Sequence, residues 1–277
     1  MTNTKQDTRP IGVFDSGLGG LTALKELHRL LPGEDLVYFG DTARVPYGTR
    51  DIQTIVRYSK QDVRFLLSKD VKLIVCACGT VSSTLPEAFR ESLKIPFVGV
   101  VGHAAAAAAK ATKNGKIGVI GTSATIKSGS YLRALQELDD GFQVTANACP
   151  LFVPLVENGY FGVQNEVVRL VAEEYLAPMK AAGVDTLILG CTHYPLLKDV
   201  IAHIMGEKVM LIDSGREAAR FVEGYLGAQG FKNGRKTDGI CRFYVSSAVD
   251  FEANAGRFLG TDLSGRAEQV PIDSYDE

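Results

Sequence analysis

Two short apolar runs end alike. Residues 73–76 (LIVC) lead into Ala77-Cys78-Gly79-Thr80, and residues 186–189 (TLIL) lead into Gly190-Cys191-Thr192-His193, more than a hundred positions later. A thiol followed closely by threonine at the end of a strand admits packing, metal ligation, redox exchange or proton transfer. Packing is the ordinary fate of a free cysteine, which behaves as a small buried hydrophobe. Cys76, Cys78, Cys191 and His193 could form a Cys₃His zinc site, yet a C-x-C on an apolar strand differs from the usual C-x₂₋₄-C spacing. No C-x-x-C supplies a redox pair. The five cysteines (Cys76, Cys78, Cys149, Cys191, Cys241) are odd in number and irregularly spaced, which suits reduced thiols better than a disulfide framework. Cys149 and Cys241 have no polar neighbourhood readable from the sequence. Of the four histidines, only His193 adjoins a candidate thiol.

The elements that must position these thiols read as parallel strands. Runs at 11–14, 36–39, 73–76, 97–101, 117–120, 186–189, 209–212 and 242–245 are short and apolar throughout, and they alternate with helical patterns. This predicts an α/β fold whose sheets are covered on both faces. Helical stripes are expected in 52–67 (Ile52, Ile55, Val56, Val63, Leu66, Leu67) and in 163–175 (Val163, Val167, Leu170, Val171, Tyr175). The alanine-rich run 103–111 is a helix former to which no chemistry is assigned.

An internal echo links GVFDSGLGG (12–20) to GVIGTSATI (118–126), with the two cysteine strands corresponding at a similar offset. Two similar parallel-sheet domains sharing one cleft would follow. VMLIDSGREAA (208–219) repeats the apolar-Asp-Ser-Gly pattern, which suggests that the chain returns to its first sheet near residue 209. The expected division is therefore 1–99 plus 209–277 against 100–208. The last residues, GRAEQVPIDSYDE, are acidic and aperiodic and read as a loose tail.

Ligands of open parallel sheets bind beyond the carboxyl ends of the strands. Those ends carry Asp15-Ser16, Asp41-Thr42, Cys78-Gly79-Thr80, Gly121-Thr122 and Cys191-Thr192-His193. Any one of them could simply cap a helix or turn. Five together point to a shared polar site. Asp-Ser-Gly-Leu-Gly-Gly (15–20) fails as a dinucleotide fingerprint because the third glycine falls on Thr22, and no G-K-[ST] ending makes it a phosphate loop. Its backbone N–H groups suit a compact carboxylate instead. Tyr47-Gly48, in a polar loop after the second strand, and Glu157, after a run broken by Pro150 and Pro154, are further candidates for the cleft.

Composition excludes some partners. The 277 residues carry 30 basic and 32 acidic side chains, a formal charge of −2, so there is no basic excess to neutralise a nucleic acid backbone. The polar start MTNTKQDTRP and the absence of any membrane-length apolar run lead to the expectation of a cytoplasmic protein without membrane contact.

In order, FDSGLGG (14–20), YFGDTARVPYG (38–48), CGT with SS following (78–83), GTSATI (121–126), PLVENG (154–159) and LGCTHYPLL (189–197) resemble the glutamate racemases of the aspartate/glutamate racemase superfamily. The resemblance spans nearly the whole chain. It implies two pseudo-symmetric α/β domains, glutamate held in the cleft between them, no cofactor, no metal, a homodimer, and a role in supplying D-glutamate for peptidoglycan. Cys78 and Cys191 match the paired acid-base thiols, with Asp15, Glu157 and His193 as their supporting set. Asp15, Ser16, Tyr47, Gly48, Gly79, Thr80, Thr122, Thr125, Thr192 and His193 match substrate contacts.

Racemisation removes a carbon-bound proton on one face and returns one on the other, which two fixed groups achieve without moving the intermediate. A thiol pKa of about 8.5, lowered by a cation or helix N-terminus, would let one member be thiolate while the other stays protonated. One position departs from the family, which usually has asparagine where this chain has Gly79. Loss of that amide would cost about 1–3 kcal/mol unless Ser82 or water replaces it. An aspartate or other acidic amino-acid racemase, or a non-catalytic relative, are the alternatives that Gly79 leaves open.

Overall fold

The computed structural model describes residues 6–249, 251–260 and 266–276. The first stretch of chain runs β1 (Ile11–Asp15), α1 (Leu21–Leu30), β2 (Leu36–Gly40), α2 (Ile52–Ser68), β3 (Leu73–Cys76), α3 (Gly79–Thr84), α4 (Glu87–Glu91) and β4 (Phe97–Gly99). It continues with α5 (Val101–Ala111), β5 (Lys116–Gly121), α6 (Ser123–Ser128), α7 (Ser130–Gln136), β6 (Gln143–Ala148), α8 (Phe152–Glu157), α9 (Glu166–Ala182) and β7 (Thr186–Leu189). The last stretch holds α10 (Lys198–Met205), β8 (Met210–Asp213), α11 (Ser214–Gln229), β9 (Cys241–Val245), α12 (Phe251–Leu259) and β10 (Ala267–Gln269).

The strands form two parallel sheets, ordered β10-β9-β2-β1-β3-β4 and β6-β5-β7-β8. Four strands of the first sheet, β2-β1-β3-β4, therefore have the same spatial order as the whole of the second. β1 corresponds to β5 and β3 to β7, which is the topological meaning of the echo between 12–20 and 118–126. In each sheet the order reverses where the first strand meets the third, so each half has a switch point at which strand ends diverge and leave a crevice. β1, β2, β3 and β7 are buried along their whole length. This explains their unbroken apolar character, because helices cover both faces. A single cluster of buried apolar side chains runs through both halves, from Ile11, Val13 and Val75 to Ile120, Leu187 and Leu189, by way of Leu24 on α1 and Ala218 and Val222 on α11.

Several expectations are corrected. β8 pairs with β7 in the second sheet, so the return at residue 209 comes one element too early. The Asp-Ser-Gly of 213–215 is a helix cap: the Asp213 carboxylate accepts the Arg216 N–H at the start of α11, which then packs on α1 and α5. Strand β4 ends at Gly99 and α5 begins at Val101, inside the run 97–101. On α9 the buried face is Val168, Ala172, Leu176 and Met179, while Val167 and Leu170 face outward, because this helix is apolar on more than one side. On α2, Ile55, Val63 and Leu66 are buried, but Ile52 and Leu67 are exposed.

The acidic tail is anchored. β10 adds to β9, Val270 and Ile272 are buried, and the Tyr275 ring meets Phe65 edge-on while its carbonyl accepts from Arg64. Three apolar anchors among charged residues make too weak a period to be read from sequence.

Candidate active site

Cys78 and Cys191 line one cavity of about 350 Å³, at the low end of the range of small-ligand sites. Cys78 follows β3 and caps α3, and Cys191 follows β7, so the two thiols come from corresponding positions of the two sheets. Ser16, Tyr47, Gly48, Gly79 and Thr80 from the first half line the same cavity, as do Thr122, Glu157, Thr192 and His193 from the second. Hydroxyls close the crevice: Thr80 Oγ1 lies 2.9 Å from Thr122 Oγ1, and Thr22 Oγ1 donates to the Thr192 carbonyl at 3.0 Å.

The thiols have different neighbours. Cys78 Sγ donates to Ser16 Oγ at 3.4 Å. Cys191 Sγ lies 3.9 Å from His193 Nδ1, and His193 Nε2 lies 3.0 Å from Glu157 Oε1, so a carboxylate-imidazole pair stands behind the second thiol alone. Asp15 is fully buried behind the cavity wall, where its carboxylate accepts the Gly17 N–H at 3.1 Å and the Thr192 hydroxyl at 3.4 Å. Burial raises the Asp15 pKa, and the nearby His193 and the backbone N–H groups of Gly20 and Gly17 partly offset this.

Burial also pushes the Cys78 thiol up to about 11, with the Asp15 carboxylate adding to the effect and the Ser16 hydroxyl opposing it. Burial raises the Cys191 thiol as well, opposed by the His193 backbone N–H and reinforced by Cys78, Asp15 and Glu157. The expected lowering of one thiol is thus reversed, because desolvation and neighbouring carboxylates outweigh any cationic help. Both sulfurs therefore rest as thiols near neutral pH, and any chemistry through a thiolate needs a neighbouring group to take the proton.

The remaining candidates fall into place unevenly. Tyr47 is buried and its hydroxyl donates to Asp41, with Asp62 Oδ2 at 3.3 Å. Arg44 joins the same group, its Nε donating to Asp41 at 2.7 Å and its Nη2 to Asp62 at 3.4 Å. The phenol therefore holds the loop 42–50 in place, and its hydroxyl is already engaged. Thr125 is buried behind Thr122, its Oγ1 3.0 Å from Thr122 Oγ1, and lies outside the cavity wall. Ser82 donates to the Cys76 carbonyl and accepts from the Val100 N–H, so it does not stand in for an amide at position 79. Cys76 Sγ bonds the Cys78 carbonyl at 3.6 Å and is fully buried. Among the described residues, no three His, Cys, Asp or Glu side chains are grouped so as to hold a metal ion.

Sequence reasoning passed over several parts of the wall. Cys149, Pro150, Val153 and Pro154, around and within α8, form an apolar side of the cavity. The prolines near Glu157 were their only signal. Arg257 and Phe258 on α12 brace the second thiol's partners. The Arg257 guanidinium donates to the Glu157 carbonyl at 2.7 Å, and the Phe258 ring meets the His193 ring edge-on at 5.3 Å. Nothing in their local sequence marks them.

Comparison with known proteins agrees with this architecture. Residues 11–222 match the family model described as Asp/Glu/Hydantoin racemase. The glutamate racemase of Geobacter metallireducens is 47% identical over 270 residues, covering 97% of this chain and 99% of its own, and that of Syntrophus aciditrophicus is 41% identical over 273 residues, covering 98% and 100%. The crystal structure of glutamate racemase from Francisella tularensis in complex with D-glutamate superposes with a TM-score of 0.89 at 39% identity, covering 97% of this chain and 100% of that one. With two matched sheets, a thiol at the end of each third strand and these similarities over nearly its full length, the chain belongs to the Asp/Glu/Hydantoin racemase family.

Proposed function

We propose that this chain interconverts L- and D-glutamate by proton transfer between the substrate α-carbon and two cysteines, without a cofactor. The observation that carries the proposal is that Cys78 and Cys191, from equivalent strand ends of two sheets, open into one small cavity.

With L-glutamate bound, the Cys191 thiolate takes the α-proton, and the C–H electron pair is left on the substrate as a carbanion. The Cys78 thiol then gives its proton to the opposite face, which yields D-glutamate and a Cys78 thiolate. The reverse direction exchanges the two roles. The resting Cys191 proton passes toward His193, whose other nitrogen is held by Glu157; after turnover the imidazolium gives that proton to solvent and the Cys78 thiolate, beside Ser16 and with Asp15 behind it, takes one back, which restores both thiols. Hydroxyls and backbone N–H groups at Ser16, Gly48, Thr80, Thr122 and Thr192 bind the two substrate carboxylates. They stabilise the charge that grows on the α-carboxylate. Cytoplasmic action, homodimer formation and supply of D-glutamate for peptidoglycan follow from the family resemblance and belong to the same proposal.

Circular dichroism of L-glutamate incubated with the protein should fall to zero, and proton NMR in deuterated water should show the α-proton signal fading. Removal of a positioned acid-base group costs roughly 10²–10⁴-fold, so Cys78→Ala and Cys191→Ala should each abolish detectable racemisation. Activity on L-aspartate with none on L-glutamate would reassign the substrate. A protein inert toward both would be a binding relative, and the proposal would fall.

A further inference from the structure

Three glycines of the first half face the second half across the crevice, where a side chain would collide. A Cβ on Gly19 would lie 2.1 Å from Thr192 Oγ1, one on Gly48 would lie 2.8 Å from Thr122 Cβ, and one on Gly79 would lie 2.1 Å from the Gly190 carbonyl oxygen. The first two meet side chains. Gly79 meets backbone, and that backbone is itself held. The Gly190 N–H donates to the Ile120 carbonyl at 2.8 Å, and a Cβ on Gly190 would itself lie 2.8 Å from that oxygen and 3.0 Å from the Tyr131 ring.

Space, not conformation, explains the glycine at 79. It opens the helix α3 and is absent from the positive-φ glycines, so any residue could adopt its backbone angles. Gly79 adjoins Cys78 and Gly190 adjoins Cys191, so this contact lies between the two thiol-bearing turns. We propose that Gly79 is a positioning residue that lets the Cys78 turn close onto the Cys191 strand end, and that any side chain at this position, asparagine included, slows this enzyme.

Two effects of opposite sign compete at this position. An added amide would contribute a hydrogen bond of about 1–3 kcal/mol if it reached the substrate. Its Cβ, however, needs a carbon-oxygen distance of roughly 3.3 Å, so the turns must part by about 1 Å. That opening breaks the 2.9 Å contact between Thr80 and Thr122 and lengthens the 3.4 Å bond from Thr192 to Asp15. A misplacement of 1 Å at a reacting centre costs on the order of 10²-fold, which exceeds the usual gain from one contact.

The proposal rests on the racemase reading, so the unmodified protein is assayed first. Failure to racemise glutamate there counts against that reading and not against Gly79. Gly79→Ala carries the Cβ alone and Gly79→Asn carries the Cβ and the amide. Both should lose about 10²-fold in kcat, with a raised primary isotope effect on α-deuterated glutamate and a smaller change in KM. Gly102→Ala, whose Cβ would meet nothing within 4 Å, should match the unmodified enzyme.

Iodoacetamide labelling read by peptide mass mapping supplies the second readout. Labelling of Cys78 and Cys191 should quicken in both variants, while Cys76, buried outside the cavity, stays unlabelled. Gly79→Asn at or above unmodified activity, or Gly79→Ala without loss, overturns the proposal. Labelling that spreads to Cys76 also overturns it, since the fold and not the crevice would have yielded.

Discussion

The Cys78 side and the Cys191 side of the crevice share a backbone plan and differ in how a proton can leave. Each thiol follows the third strand of a sheet of the same order, and burial raises both. Behind Cys191 stands an imidazole held by a carboxylate, whereas Cys78 has a hydroxyl and a buried aspartate whose own pKa is raised. The repeated strand order thus supplies the geometry that a two-faced reaction needs, while the groups that charge and discharge each sulfur differ.

That comparison breaks most visibly at the imidazole pair. His193→Asn and Glu157→Gln should lower kcat by about 10²-fold, the lower end of the range for a positioned acid-base group. The equilibrium between enantiomers stays at unity, so kcat/KM falls equally in both directions and cannot by itself locate the defect. Isotope effects can. With the transfer at Cys191 made slow, the substrate isotope effect should rise for α-deuterated L-glutamate and approach unity for α-deuterated D-glutamate. Equal effects on both enantiomers would show that the pair serves both thiols, and the asymmetry would dissolve.

A second contrast sets the accessible titration of Cys78 against the ordinary expectation for a reactive thiol. With its pKa pushed up to about 11, Cys78 should label with iodoacetamide about tenfold faster for each pH unit between 7 and 9, without a plateau. Peptide mapping separates it from the other cysteines. A plateau below pH 8 would place a cation beside the sulfur and restore the lowered pKa expected from the sequence.

The sequence carried what strand ends carry. Short motifs placed Asp15, Cys78, Thr122, Cys191 and His193 beyond parallel strands because an uninterrupted apolar run followed by polar residues has few other uses in an α/β protein. What escaped lies in contacts without local pattern. The edge strand β6 (QVTANA) is only partly buried and carries Asn147 and Thr145, so it lacks an apolar run. Val167 and Val168 are equal to a periodicity argument, and only packing shows that Val168 turns inward. Cys149 reads as an isolated hydrophobe until α8 folds it into the cavity. The direction of the thiol shifts depends on burial and on carboxylates distant in sequence, which no linear spacing reveals.

The supports of the two cavity walls make a last comparison. In the second half Thr122 leans on Thr125 through neutral hydroxyls. In the first half the loop bearing Tyr47 and Gly48 hangs on buried ionisable groups: Asp62 is fully buried with Asp41, Arg44 and Tyr47 around it and Asp15 further off. Burial first, and the Asp41 carboxylate second, raise the Asp62 pKa well above its ordinary value, against the pull of Arg44 and the Tyr47 hydroxyl. The folded chain therefore holds a proton on Asp62 at pH values where the unfolded chain, with a pKa of about 3.9, has lost it. The stability associated with that proton is complete below about pH 4 and is lost as pH rises toward the folded pKa, by about 1.4 kcal/mol per unit. Asp62→Asn removes this dependence while keeping size and an acceptor for Tyr47. Its urea midpoint relative to the unmodified protein should rise as pH increases above about 4, with kcat changed by less than about threefold because no substrate contact is touched. A difference that falls with pH would mean that Arg44 holds Asp62 ionised, and the first half's loop would then rest on an ion pair instead of a shared proton.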